Sequence, residues 1–216
     1  MKILSGKIAQ LLAISTLAPL VLSSCKTDEN REKQEKPNIL FIVADDLGWK
    51  DVGYMGSEYY ETPNIDDLAS QGMIFTNAYT NAPNSAPTRA CLMSGQYSPR
   101  HGIYTVGNAD RGVDSLRKLM PVRNKTLLDT SVVTIAEALN RKDYVSASMG
   151  KWHLGDYPTH GPESQGFDLN VAGSHWGHPF HGYFSPYYNH ALEDGPEGEY
   201  LTDRLTEEAV RFIENN

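Results

Sequence analysis

The sequence is poor in cysteine and in positive charge. Among its 216 residues only Cys25 and Cys91 are cysteines, so a disulfide framework is excluded even for an exported protein. Lys and Arg number 19 against 27 Asp and Glu, for a formal net charge of −8. Such a chain lacks the broad basic surface that nucleic-acid binding requires. The net negative charge also opposes long-range attraction of an anionic substrate, so the binding of one would require a local positive cluster.

The first residues have the pattern of an export signal. Two lysines precede an apolar run over residues 8–22, which is too short to span a bilayer comfortably. The run ends in Leu-Ser-Ser-Cys25, which resembles a bacterial lipoprotein cleavage and lipidation site. We expect residues 1–24 to be a lipoprotein signal peptide and Cys25 to carry the lipid. The lipid would be the only membrane attachment, with the protein facing the periplasm or the cell surface. An ordinary secretory signal with an incidental cysteine is the alternative.

The rest of the chain divides into a polar segment and a patterned segment. Residues 25–37 are charged and without apolar periodicity, which predicts a disordered tether. Residues 38–216 alternate between strand and helix patterns and predict an α/β layered domain. The predicted strands cover residues 38–44, 73–79 and 144–149, and the predicted helices cover 62–69, 87–95, 134–141 and the segment from 202 onward. Residues 103–130 have no clear periodicity, which predicts a long irregular loop at the active site.

Residues 85–95 combine a hydroxyl nucleophile with a helix start. Ser85 precedes Pro87, whose fixed φ suits a first helical position, and Gly95 is a plausible helix stop. The amide groups and positive dipole end of a helix start attract anions. Arg89, one turn from Ser85, would brace the nucleophile or an anionic substrate. The pattern suits attack on an oxyanion ester, and a solvent-facing serine ahead of an ordinary helix is the alternative.

Two further segments carry charged side chains next to predicted strands. Asp45 and Asp46 follow the first strand, and two carboxylates ~4 Å apart repel by about 4 kcal/mol at an effective dielectric of 20 unless a cation joins them. Lys151 and His153 follow the third strand and share a face if the chain there is extended. Together they offer charge neutralisation and a proton donor. Taken alone, an acidic pair is more often part of a turn or a helix cap, and Lys151 and His153 more often form an exposed lysine beside a packed histidine.

Taken together, these three segments resemble the type I, formylglycine-dependent sulfatases of the alkaline phosphatase superfamily, in the serine form. The residues that match are Asp45, Asp46, Leu47, Gly48 and Trp49, then Ser85, Pro87, Thr88, Arg89, Leu92, Met93, Ser94 and Gly95, and last Gly150, Lys151, Trp152 and His153. The resemblance runs from about Pro37 to the end of the chain. It implies the N-terminal part of an alkaline-phosphatase-like sandwich, with a mixed, mostly parallel sheet flanked by helices. It also implies that these 216 residues are inactive by themselves.

The resemblance implies a specific chemistry for these residues. Ser85 would be oxidised to formylglycine by a radical S-adenosylmethionine maturase, and Asp45, Asp46 and Ser85 would bind Ca²⁺ rather than Mg²⁺. A hydroxyl of the hydrated aldehyde would attack the sulfate sulfur while Arg89 and Lys151 stabilise the sulfate oxygens, with His153 close to the formylglycine. The implied activity is sulfuric ester hydrolysis, arylsulfatase-like, on sulfated carbohydrate. The alternatives are a phosphoester hydrolase that uses unmodified Ser85 and an inactive, truncated glycan-binding lipoprotein.

Residues 174–190 are unusually rich in aromatic rings and imidazoles. His175, His178 and His181 recur every third residue, which suggests a transition-metal site, although Pro179 and the neighbouring glycines disfavour the helix that would align them. A packed structural loop is one alternative. The other is a loop whose rings stack on a sugar and whose imidazoles bind its hydroxyl or sulfate groups. For that case His175 and Trp176 are the candidate substrate contacts.

Overall fold

The computed structural model describes residues 36–110 and 112–216. The predicted signal peptide, Cys25 and most of the predicted tether lie outside the described residues. The chain separates into a unit that ends at Val43 and a unit from Ala44 to Asn216. The described part of the first unit, residues 36–43, contains neither helix nor strand, and its side chains are exposed.

Two of the three predicted strands are absent from the described residues. Residues 38–44 and 73–79 have no strand pairing, and their apolar side chains are exposed, as Ile42 and Phe75 show at 73% each. The sequence prediction was wrong for these segments. An apolar, β-branched run indicates that a segment can be buried in a sheet, but a strand forms only where a neighbouring strand takes up its N–H and C=O groups.

The third predicted strand is present but shorter. β1 (Ala147–Met149) pairs in parallel with β2 (Leu169–Val171), with Ala147 opposite Leu169 and Met149 opposite Val171. The pairing continues when the N–H of Gly150 donates to the carbonyl of Val171 at 2.8 Å. Because the strands are parallel, the segments that follow them emerge at the same edge of the sheet. This edge brings residues 150–155 together with the start of the 174–190 loop.

The described residues contain five α-helices. They are α1 (Pro63–Gln71), α2 (Ser85–Ser94), α3 (Ser98–His101), α4 (Ile135–Asn140) and α5 (Leu201–Asn215), with 3₁₀ turns at Gly53–Met55, Asp114–Leu116 and Glu163–Gln165. The capping box predicted for α4 is confirmed: the Glu137 N–H donates to the Thr134 hydroxyl at 3.2 Å, and the Thr134 N–H donates to the Glu137 carboxylate at 2.8 Å. None of these helices has the length and apolar character that crossing a membrane requires.

Helix α2 begins two residues earlier than its sequence predicts. Ser85 is its first residue and Asn84, in an extended conformation, is its N-cap, whereas Pro87 was the expected first position. The stop at Gly95 is confirmed, since Gly95 adopts φ 64° and its N–H donates to the Cys91 carbonyl. Ser85 therefore lies in the first helical turn.

The main core packs α2 against the segment after β1. Its buried members are Ala86, Ala90, Ile103, Leu128, Trp152 and Leu154. Small alanines on α2 allow the backbone to approach Trp152, which is 3% exposed and donates its indole N–H to the His160 carbonyl at 3.0 Å. Because Trp152 and Leu154 are buried against α2, their sequence neighbours Lys151 and His153 are also held next to α2.

A second, smaller core lies under the 174–190 loop. Val171, Ala172, Tyr187 and Leu192 are its buried members. The Tyr187 hydroxyl donates to the Glu199 carboxylate at 2.9 Å. Burial, together with this neighbouring carboxylate, raises the pKa of Tyr187 to about 12. The hydrogen bond between Tyr187 and Glu199 attaches the C-terminal end of the 174–190 loop to the segment before α5.

A buried histidine supports the far end of α2. His101 is 1% exposed, and its Nδ1 accepts the N–H of Ile103 at 3.1 Å, so its Nε2 carries the ring proton toward the Cys91 sulfur at 3.4 Å. Burial, followed by the positive charge of Lys125, holds the pKa of His101 below its usual value. The neutral ring thus ties Cys91 of α2 to the turn after α3.

Protonation of His101 is expected to destabilise the fold. Unfolded His101 has a pKa near 6.5 and the folded ring a lower one, so the unfolded state takes up the proton first and stability falls as the pH decreases through 6.5. Urea unfolding at about pH 7.5 and about pH 5.5 measures this slope. His101→Gln should flatten it, whereas the exposed control His178→Gln should leave it as in wild type. An unchanged slope in His101→Gln would contradict the assignment.

Candidate active site

Ser85 and His153 form a hydrogen-bonded pair. The Ser85 hydroxyl oxygen lies 3.2 Å from His153 Nδ1, and both residues are half-buried. Ser85 comes from the first turn of α2, and His153 from the turn after β1, 68 residues later. The sequence analysis named both as catalytic, and the fold brings them into direct contact. Such a pair is the arrangement in which a base activates a hydroxyl nucleophile.

The surroundings of His153 keep its ring neutral. Burial, then the positive charges of Lys151 and Arg89, holds the pKa of His153 below its usual value, and Asp45 opposes this shift. A neutral imidazole with its proton on Nε2 accepts the Ser85 O–H at Nδ1. The backbone also fixes the ring, because the His153 N–H donates to the Ser174 carbonyl at 2.9 Å.

A charge cluster lies beside this pair. The Asp45 carboxylate accepts a hydrogen bond from the Lys151 ammonium and lies 3.6 Å from the Arg89 guanidinium. Arg89 also donates to the Lys151 carbonyl at 2.5 Å. Although burial alone would raise the pKa of Asp45, its hydrogen bond to Lys151 and the charges of Lys151 and Arg89 lower it. Asp45 is therefore ionised and compensates two cations.

The roles of Arg89 and Lys151 differ in part from the sequence prediction. Arg89 contacts Asp45 and the Lys151 carbonyl, and its bonds do not include Ser85. Its Nε is buried and has no hydrogen-bond partner among the described residues. An unpaired guanidinium donor beside a nucleophile fits an anionic oxygen of a substrate.

Residues 151–153 are not extended, which corrects the expectation that Lys151 and His153 share a face. Gly150 adopts φ 81° and His153 adopts φ 64°. The turn sends Lys151 to Asp45 and His153 to Ser85. The two side chains converge on one site through different partners rather than by strand alternation.

Asp45 and Asp46 occupy a turn, and Asp46 adopts φ 56°. Their oxygens have the chemistry that hard divalent cations prefer. Within residues 36–110 and 112–216, however, no group of three or more His, Cys, Asp or Glu side chains is placed to hold a metal ion. The two carboxylates therefore fit part of a cation site, and the described residues do not complete one.

The 174–190 loop reaches the Ser85–His153 pair. A Cβ atom at Gly177 would lie 2.7 Å from His153 Cε1, so only a residue without a side chain fits there unless the ring shifts. Ser174 supplies the carbonyl that fixes the His153 backbone. Of the predicted substrate contacts, His175 pairs with Asp156 at 2.5 Å and packs on Trp176 at 4.3 Å.

The structure contradicts a transition-metal site at His175, His178 and His181. The described residues contain no metal-ligating cluster there, and His181 instead packs between the rings of Phe180 and Tyr188. The sequence analysis also missed Asp156 as the partner of His175. Its only signal was its position three residues after His153.

Asp45→Asn is expected to unbalance the charge cluster. It should lower the free energy of unfolding by about 1–2 kcal/mol, less than for a fully buried ion pair because a third of the Asp45 side chain is exposed. It should also lower the pKa of His153 further, since Asp45 opposes that shift. Urea unfolding and NMR titration of the imidazole, both in chelator, measure these effects. Asp67→Asn, on the exposed face of α1, is the control, and equal losses in both variants would contradict the role of Asp45.

The chain is similar to known sulfatases over most of its described length. The model of the family described as Sulfatase matches residues 37–216. A sulfatase of Formosa agariphila is 39% identical over 178 residues, which cover 77% of this chain and 31% of that protein. The N-acetylgalactosamine-6-sulfatase of Homo sapiens is 35% identical over 162 residues, covering 75% of this chain and 29% of that protein.

A solved structure supports the same relationship. The crystal structure of Ps i-CgsB in complex with k-i-k-neocarrahexaose superposes with a TM-score of 0.65 at 36% identity. The match covers 84% of this chain and 42% of that chain. The predicted α/β, alkaline-phosphatase-like fold class is thereby confirmed. The chain spans about a third of the length of the curated relatives that it matches.

Proposed function

Since the chain belongs to the sulfatase family, we infer that the whole protein hydrolyses sulfuric esters of carbohydrates. The observation that carries this proposal is the Ser85–His153 contact at 3.2 Å beside the Asp45–Lys151–Arg89 cluster. A hydroxyl at a helix start with cations close by is suited to a tetrahedral oxyanion ester. The similar proteins are named for sulfated sugars or are bound to an oligosaccharide, which supports a sulfated glycan as the substrate.

Each residue of the site then has a definite task. Lys151 and Arg89 bind the non-bridging sulfate oxygens. The Lys151 ammonium has donors beyond the one that Asp45 accepts, and Arg89 Nε has no hydrogen-bond partner among the described residues. Asp45 offsets the repulsion of these cations before substrate arrives. His153, neutral and held by the Ser174 carbonyl, accepts or returns a proton at residue 85. His175 and Trp176 contact the sugar.

We also propose that Ser85 acts as formylglycine, formed by a radical S-adenosylmethionine maturase. The position fits this group, since Ser85 is half-buried, lies in a helical first turn and contacts a neutral imidazole. The modified residue would supply an aldehyde hydrate, whose second hydroxyl, on losing its proton, can expel sulfate and regenerate the aldehyde, whereas a serine ester would need attack by an added water. Helix α2 would hold this group, and His153 would orient it.

A divalent cation, for which Ca²⁺ is our proposal over Mg²⁺, would be held by Asp45, Asp46 and residue 85. The carboxylates fit its chemistry, and flexible oxygen ligation suits Ca²⁺ better than the strict octahedron of Mg²⁺. The ion would supply further positive charge for the substrate. Asp45 would then be shared between the ion and the two cationic side chains that it already contacts.

A phosphoester hydrolase that uses unmodified Ser85 is the second candidate. The hydrogen bond between the Ser85 hydroxyl and a neutral His153 favours it, because the pair could form a phosphoseryl ester directly. The similarity to proteins named as sulfatases favours the first candidate. The chemical state of residue 85 distinguishes them.

For the location of the protein, we propose export as a lipoprotein with Cys25 as the lipidated residue, facing the periplasm or the cell surface. The pattern of residues 1–25 supports this. Polymeric sulfated glycans are met outside the cytoplasm, so the location agrees with the proposed substrate. Mass spectrometry of the protein from membranes of its host reads the acylation of Cys25, and an unmodified Cys25 in mature protein would exclude the anchor.

Residue 85 is expected to be converted to formylglycine in protein made with its maturase. Peptide mass spectrometry should show the loss of two hydrogens at residue 85 and an intact Ser94, the control serine in the same helix. Ser85→Ala should reduce sulfate release from 4-nitrophenyl sulfate by about a thousandfold or more, while Ser94→Ala should not. Full sulfatase activity in protein with an unmodified Ser85 would contradict this mechanism.

Removal of divalent cations is expected to abolish sulfate release. After chelation of the full-length protein, Ca²⁺ should restore activity more completely than Mg²⁺, because Ca²⁺ tolerates irregular oxygen ligation better than Mg²⁺ does. Asp46→Asn should raise the Ca²⁺ concentration for half-activity about tenfold through loss of one charged ligand. Asp67→Asn, on the exposed face of α1, serves as the control. Retention of activity in thoroughly chelated protein would contradict the proposed cation site.

A further inference from the structure

An Asp156-centred pair of imidazoles lies at the edge of the site. One Asp156 carboxylate oxygen lies 2.5 Å from His175 Nδ1, and the other lies 3.3 Å from His190 Nε2. One carboxylate therefore fixes two rings that are 15 residues apart in the sequence and sets which nitrogen of each ring carries the proton. The opposite ring nitrogens, His175 Nε2 and His190 Nδ1, do not face Asp156 and can bind a ligand. Both rings are exposed, with side-chain exposures of 46% and 44%.

A run of aromatic rings continues outward from this pair. His175 packs on Trp176 at 4.3 Å, Trp176 stacks on Phe180 at 4.2 Å and 23°, and Phe180 contacts His181 at 5.0 Å. His181 contacts Tyr188 at 5.0 Å. The outer rings remain in water, since Phe180 is 56% exposed and Tyr188 is 68% exposed. Mutual stacking orders these side chains in advance, although their exposure leaves much apolar area without a partner.

The imidazole pair and the rings are continuous with the catalytic pair. Gly177, between Trp176 and Phe180, packs against the His153 ring. A ligand group bound at His153 and Ser85 therefore lies next to the loop that carries His175, Trp176 and Phe180. A sulfate ester of a single small alcohol would fill the first site and leave the second empty.

We propose that Asp156, His175, His190, Trp176, Phe180 and Tyr188 form a subsite for an uncharged sugar ring adjoining the sulfated one, so that the enzyme prefers oligosaccharides to small sulfate esters. This rests on the proposed function. Oriented imidazoles exchange hydrogen bonds with sugar hydroxyls, and exposed rings stack on the apolar face of a pyranose. The Asp156 carboxylate behind both imidazoles disfavours a second anion there.

In this arrangement Asp156 is a positioning residue. It acts through His175 and His190 and would not itself touch the sugar. Phe180 is the platform and contacts the ligand directly. The two residues therefore test different parts of the subsite: Phe180→Ala removes stacking area, while Asp156→Asn frees two imidazoles. Tyr59→Ala is the matched control, because Tyr59 is an 85% exposed ring that packs edge-on against Tyr60, outside the loop.

Kinetics of the full-length, matured protein provide the first test. There are three probes. The first is k-i-k-neocarrahexaose, the second is a different hexasaccharide in which N-acetylgalactosamine 6-sulfate adjoins uncharged sugars, and the third is 4-nitrophenyl sulfate. Phe180→Ala and Asp156→Asn should each lower the ratio of oligosaccharide to aryl-sulfate kcat/KM about tenfold, mainly through a higher KM for the oligosaccharide. Phe180→Tyr should recover the ratio, and Tyr59→Ala should not change it. Equal losses on both substrate types would show a structural role and overturn the subsite.

Binding of desulfated oligosaccharides separates the subsite from hydrolysis. Calorimetry with the desulfated forms of the same two hexasaccharides should show binding to wild-type protein that weakens about tenfold in Phe180→Ala and in Asp156→Asn. This result would support the subsite even if no sulfate ester were hydrolysed and the proposed function had failed. Absence of binding by both sugars, or equal binding to wild type and Phe180→Ala, would overturn the subsite while leaving sulfate hydrolysis standing.

Discussion

The site depends on one carboxylate that compensates two cations. Lys151 and Arg89 both turn toward Asp45, with side chains only 18% and 15% exposed. Without Asp45 the two positive charges would repel each other in surroundings that screen them poorly. The Arg89 hydrogen bond to the Lys151 carbonyl also ties α2 to the turn after β1. Three segments far apart in the sequence are thus held together by charge, and the Ser85–His153 contact lies beside this junction.

The turn that presents His153 is strained and is held by packing. A non-glycine residue at φ 64° costs roughly 1–2 kcal/mol. On either side, Trp152 and Leu154 are buried, and each such side chain stabilises the fold by about 1.5–3 kcal/mol. The free energy gained by burying these two side chains exceeds the cost of the backbone strain. In addition, the His153 N–H keeps a hydrogen-bond acceptor in the Ser174 carbonyl. The strain therefore persists because the residues around it determine the conformation.

The sequence predicted local features better than it predicted the sheet. The capping box of α4 and the stop at Gly95 follow from a few adjacent residues, and both were confirmed. Residues 38–44 and 73–79 were predicted as strands from apolar runs, but strand formation depends on distant partners that such a run does not reveal. Contacts of Asp45 with Lys151, and of Asp156 with His190, likewise join residues whose proximity only the tertiary fold creates.

The loop of residues 174–190 both contacts His153 and presents the exposed rings, so under the proposed function it would couple sugar binding to the chemistry at residue 85. Ser174 and Gly177 fix the backbone and one side of the His153 ring, while His175 and Trp176 lie between them in the sequence. A displacement of the loop at His175 would disturb the two contacts with His153 that flank it, the hydrogen bond to the Ser174 carbonyl and the packing of Gly177. Asp156 and the Tyr187–Glu199 bond restrain such movement at two further points. If the proposed subsite exists, changes in the exposed rings that preserve the backbone would alter which sugar is bound, whereas changes at residues 174 and 177 would also disturb the surroundings of His153.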